Sequence, residues 1–140
     1  MFCRSDYGTF PIWHRETQLM MMDMQTGEVD SLQVLRAKDA SSTYHSWSSN
    51  GRWVAFASKR DDGMFGRVWF AHVDADGHVS VPFRLPHRDP EHDRLFLRSY
   101  NIPDLGNAPV PFDARTVKRL RKNVSAEPFK TIKIDNHNDN

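Results

Sequence analysis

The residue types in this sequence that could do chemistry are seven histidines, one cysteine and an acidic run between residues 87 and 93. His87 and His92 stand near Asp89, Glu91 and Asp93. A zinc site needs three or four converging ligands, and two histidines at this spacing read instead as the solvated start of a helix. Asp74-Ala-Asp76-Gly77 lacks the third acid and the terminal glutamate of a calcium loop and reads as a turn. No serine has glycine two residues away on both sides, so the nucleophile elbow is missing, and Cys3 has no evident base beside it. Glycine-rich phosphate loops and the C-x-x-C-H of haem attachment are also missing. The expectation is a protein that is not an enzyme and that uses neither cofactor nor metal. Residues 115–122 hold five bases, with Val117 and Leu120 on one side. They read as a solvated amphipathic helix, without the interleaved aromatics of a single-strand stacking platform. A net charge of +1 leaves no whole-chain field to recruit nucleic acid.

What remains is recognition, and its candidates sit in loops that strands must position. The 140 residues fit one domain by the rough prior of ~100–200 residues per domain. With 39% hydrophobic and 11% aromatic residues the composition is that of a folded chain. One cysteine excludes an internal disulfide framework. The N-terminus is charged at Arg4 without a following apolar run, so no signal peptide is expected, and no stretch reaches the ~18 apolar residues of a membrane span. Short apolar runs bounded by turn residues predict strands at 2–5, 18–24, 29–35, 44–48, 52–59, 67–74 and 79–85. Thr26-Gly27, Asn50-Gly51 and Asp76-Gly77 mark antiparallel hairpins. Asp89-Pro90 predicts a helix over 91–100, and Asp113 a second from 114 to about 123, followed by a frayed tail.

The strands repeat. Setting Gly27 on Gly77 places Val29 on Val79, Met20 on Phe70 and Leu19 on Trp69, and the earlier strands match with Phe2 on Phe56. The unit is a meander of up to four strands. Its second copy is apolar on both faces, as in a sheet packed between two neighbours. Alternate loops of a meander share a face, so the longer loops 6–17, 36–43 and 60–66 lie together. The first of them carries Tyr7, Phe10, Trp13, His14 and Arg15. Aromatic and cationic side chains on long loops of a rigid scaffold are where recognition usually sits. The competing reading is that Phe10, Ile12 and Trp13 only cover a sheet edge.

Trp47-Ser-Ser-Asn50-Gly51-Arg-Trp53-Val-Ala-Phe-Ala-Ser, then Asp62-Gly63, an apolar strand and Asp74-Ala-Asp76-Gly77, resembles the repeat of TolB-type, WD-repeat-like β-propellers. Ser49 and Asn50 stand where that family usually has proline and aspartate, and Asn-Gly preserves the turn. The resemblance covers about residues 1–105. It implies an all-β fold, a partial propeller of about two antiparallel four-stranded blades with a short helical C-terminal tail. It divides the chain into blades over 1–88, a helical closing segment over 89–105, and a basic helix with a flexible tail over 106–140. Since a propeller needs ~4–8 blades, the chain is expected to be the C-terminal piece of a longer periplasmic protein. Such a protein is a non-catalytic scaffold that binds protein partners of the cell envelope. Tyr44 and His45 would then line the central channel, beside the loop candidates Tyr7, Trp13, His14 and Arg15. The alternatives are an accessory propeller of a prolyl-oligopeptidase-like hydrolase and a truncated product with no function of its own.

Overall fold

The computed structural model describes residues 1–123; the frayed tail expected beyond them lies outside the described residues. The chain divides into two compact units, Met1–Asn107 and Ala108–Asn140. In the first unit the predicted strands appear as β1 (Phe2–Arg4), β2 (Gln18–Met22), β3 (Val29–Asp30), β4 (Ser42–Trp47), β5 (Trp53–Ser58) and β6 (Arg67–His72). They form two three-stranded antiparallel sheets, ordered β1-β2-β3 and β4-β5-β6. The chain is therefore mostly β with little helix. A further segment meets β6 and Val73 beyond it through the antiparallel bridges Phe70 to Phe83 and Val73 to Val79 and through hydrogen bonds between His72 and Ser80. Pro82, between those bridges, has no N–H to donate and interrupts the strand expected there.

One hydrophobic core serves both sheets. Leu19, Leu32 and Leu35 come from the first half, and Val54, Phe56, Ala71 and Val73 from the second. β5 is the centre of this arrangement: it pairs on both sides, from Trp53 opposite His72 to Ser58 opposite Arg67 on one flank. Cys3, not Phe2, packs against the core. Phe2 is 37% exposed and Phe56 is fully buried, so the expected match of Phe2 to Phe56 is one residue out of register. In a strand that slip exchanges the two faces.

Three other elements depart from expectation. The strand predicted over 29–35 stops at Asp30, whose Oδ1 accepts the N–H of Leu32 at 2.8 Å. Leu32 turns into the left-handed region (φ 43°) and starts a 3-10 turn, Gln33–Leu35, that puts Leu35 into the core. The helix predicted over 91–100 is only α1 (His92–Leu95). Asp89 caps the turn before it, through the Glu91 N–H at 3.0 Å, rather than the helix itself. The guanidinium of buried Arg67 donates to the carbonyls of Asp93, Phe96 and Arg98 at 2.7, 3.0 and 2.6 Å. Those carbonyls thus find their hydrogen bonds without a helix to supply them. In the second unit, α2 (Ala114–Asn123) starts where expected, with Asp113 Oδ1 accepting from the Thr116 N–H at 2.8 Å and the Thr116 hydroxyl at 2.9 Å. No described helix is long and apolar enough to cross a membrane.

Candidate functional site

The hairpin motif builds its turns from side-chain oxygens. Asn50 Oδ1 accepts from the Arg52 N–H at 3.1 Å, and Ser48 Oγ accepts from the Trp53 N–H at 2.9 Å. Gly51 takes φ 66°, which an L side chain rarely adopts. After β5, Asp62 Oδ1 accepts the N–H groups of Met64 and Phe65, both at 2.8 Å, and Gly63 follows with φ 72°. In the turn holding Asp76 and Gly77 the accepting carboxylate is that of Asp74, bonded to the Asp76 and His78 N–H groups at 3.0 and 2.8 Å. Asp23 does the same between β2 and β3, accepting from the Gln25 N–H at 2.7 Å. Asp23 escaped the sequence reading, although it precedes Gly27 by nearly the spacing that separates Asp74 from Gly77. Trp47, in β4, packs half-buried against the core, whereas Trp53 is exposed.

These turns leave the longer loops free to gather, and they do. Phe10 enters the left-handed region (φ 55°), and Pro11, with its fixed φ, begins a 3-10 turn over Pro11–Trp13. Ile12 is buried, and its carbonyl accepts from Ser41 Oγ at 3.0 Å, joining the 6–17 loop to the segment before β4. The loop beyond β5 joins them through Lys59, whose N–H donates to the Ser41 carbonyl at 3.1 Å and whose Nζ lies 4.2 Å from the Trp13 ring centroid. Ile12 is thus the anchor. Phe10 and Trp13 project outward at 68% and 75% exposure. His14 is a brace: Nε2 lies 3.0 Å from the Thr9 carbonyl, Nδ1 lies 3.3 Å from Glu16 Oε1, and the ring meets Tyr7 edge-on at 4.6 Å. Arg15 is exposed and borders two grooves. One, of about 430 Å³, is lined by Ile12, Trp13, Lys59, Met64 and Phe65; the other, of about 530 Å³, by Glu16, Gln33, Arg36 and Lys38.

Tyr44 and His45 lie apart from this group. They form the irregular step in the pairing of β4 with β5, between Thr43 and Ser46, and Tyr44 has φ 50°. Among the described residues neither makes a hydrogen bond, ion pair or ring contact with the 6–17 loop. Burial pushes the His45 pKa down, and the nearby Met1 ammonium pushes it further the same way. The six candidates therefore fall in two places, of which the 6–17 loop is the one joined by other elements.

Beyond these, the structure brings forward three cations that the sequence reading passed over. Lys59 and Arg67 are buried, and Arg60 is half-buried. Arg60 donates to the Leu35 carbonyl at 2.6 Å and to Ser58 Oγ at 3.1 Å, tying the Gln33–Leu35 turn to β5, and its guanidinium lies over the Trp69 ring at 4.6 Å. Their only signal in the sequence is position at the mouths of apolar strands. His87, His92 and Asp93 come closer than their spacing alone implies, with the two imidazoles 4.2 Å apart and His87 Nε2 at 3.3 Å from Asp93 Oδ1. Asp93 is already the counter-ion of Arg84 at 2.7 Å, and the Arg67 guanidinium is 3.8 Å away. A dication placed among these groups would meet two fixed positive charges. Comparison with protein-family models, with curated proteins and with solved structures finds no match to this chain.

Proposed function

We propose that the chain is a non-catalytic, TolB-like partial β-propeller that captures a protein partner in the bacterial cell envelope through its long-loop face. The observation that carries this reading is the gathering of the 6–17 loop, Ser41 and the loop after β5 around Ile12, with Tyr7, Phe10, Trp13 and Met64 left exposed. Exposed aromatics on a braced loop cost little conformational entropy when they dock, which is why such residues dominate binding energy at interfaces. The propeller reading is supported by two sheets sharing one core and by the bridges from Val73 to Val79 and from Phe70 to Phe83, which stand where a fourth strand would lie. It is supported too by the aromatic cluster of Trp53, Phe70 and Phe83 on the far side of the second sheet, a surface suited to a further sheet. Replacing Trp13 by alanine tests the binding face. Capture of envelope proteins by the tagged protein in its own host should fall about tenfold or more, as expected for a hot-spot aromatic, with the melting temperature nearly unchanged. Unchanged capture removes the loop from the interface.

A further inference from the structure

Lys59 stands out among the charged residues of the first unit. It is 8% exposed, yet among the described residues its Nζ makes neither a hydrogen bond nor an ion pair. Its contact is the face of Trp13, and burial holds its pKa below the ordinary lysine value. Asp62, the acid whose charge acts against that shift, has Oδ1 already committed to the Met64 and Phe65 N–H groups. The buried part is the apolar stem; Nζ keeps access to the groove, where up to three donors are free to meet an oxygen. The groove it lines is walled by Ile12, Trp13, Met64 and Phe65, with Arg15 at its border.

We infer that this groove receives a carboxylate of the partner's polypeptide chain, bound to Lys59 Nζ with Arg15 as a second cation and with an adjoining apolar side chain against Trp13 and Met64. The inference rests on the partner-binding reading and names what that face recognises. Two observations select a peptide over a hydrocarbon acid. Arg15 also borders the neighbouring groove, whose walls include Glu16, Gln33 and Arg36, and these offer amide and charged groups to which peptide bonds can hydrogen-bond and an alkyl chain cannot. Across the two grooves Arg15, Arg36, Lys38 and Lys59 outnumber Glu16 and Asp39, so an anionic segment is favoured throughout its length.

The test is a ligand-observed NMR titration of the 140-residue chain with acetyl-Ala-Ala-Leu, its C-terminal amide, the side-chain acid acetyl-Ala-Glu-Leu-amide, and octanoate. The expected result is that at least one carboxylate peptide binds roughly tenfold or more tightly than acetyl-Ala-Ala-Leu-amide, the range of a charge-assisted hydrogen bond. Which of the two does so tells whether a chain terminus or a side chain is held. Lys59→Met should abolish the preference and Lys59→Arg should keep most of it. Equal binding of acids and amide by the unaltered protein overturns the inference even if Lys59→Met proves unstable. So does octanoate binding as tightly as the peptide acids. Either result leaves capture of a partner by Trp13 standing, because that is measured separately.

Discussion

Single side chains in the 6–17 loop divide the labour of recognition. Ile12 anchors, His14 braces and Trp13 is presented. Replacing His14 by alanine should therefore act through loop order. It removes contacts to Thr9, Glu16 and Tyr7, so broadening of the loop's amide NMR signals, with the sheet amides unmoved, is the expected result. His45 makes a different prediction. Burial holds its folded pKa below the ordinary histidine value of about 6.5, so below about pH 6.5 the unfolded chain takes up a proton that the folded chain refuses. Stability is then full above that pH and declines as pH falls toward the folded value. Thermal melts between pH 7 and pH 5 should show the midpoint dropping, and His45→Gln should flatten the slope.

Elements show which parts of the architecture sequence reasoning can reach. The six strands and α2 were legible because each is bounded by a local signal: Gly27, Gly51 and Gly77 at the hairpins, Asp113 at the helix start. The strand over 29–35 and the helix over 91–100 were overextended because their limits are set by partners, the Asp30 carboxylate in one case and the distant Arg67 guanidinium in the other. The loops of the candidate site were legible as a group from the meander's alternation. Lys59 was not, since burial of a lysine at a strand's mouth depends on Trp13, remote in sequence. Gly66 tests how the segment after the last strand is held. Its carbonyl accepts the Tyr100 N–H at 2.9 Å, its N–H donates to Ser99 Oγ at 3.0 Å, and a Cβ added there would meet the Tyr100 carbonyl oxygen at 3.0 Å. Gly66→Ala should release residues 92–100 to limited proteolysis while residues 42–72 stay protected. In α2, Asp113 has its pKa lowered mainly by the Thr116 N–H. Its contribution is complete above the unfolded value of about 3.9 and is lost as pH falls through the folded value, so helical circular dichroism should drop at strongly acid pH and more weakly in Asp113→Asn.

For the whole molecule the decisive fact is that neither sheet owns a core. Phe56 is fully buried where the sheets meet, and Phe56→Ala should cost about 3–5 kcal/mol, enough to leave a chain of this size largely unfolded in urea titrations. The partial-propeller reading predicts that the chain in solution associates or melts broadly, because Trp53 and Phe83 stay exposed on the second sheet; a monomer with a sharp two-state melt would count against it. The shared core also sets a timetable. Leu19, Leu32 and Leu35 precede Val73, the last buried residue of their core, along the chain, so at ribosomal speeds of roughly 5–20 residues per second the last of the three emerges about 2–8 s before it. Val54 and Phe56 arrive within that interval but Ala71 and Val73 only at its end, so one side of the core stays uncovered until the residue after β6 has been synthesised, and that is the window in which a holding chaperone would engage the nascent chain.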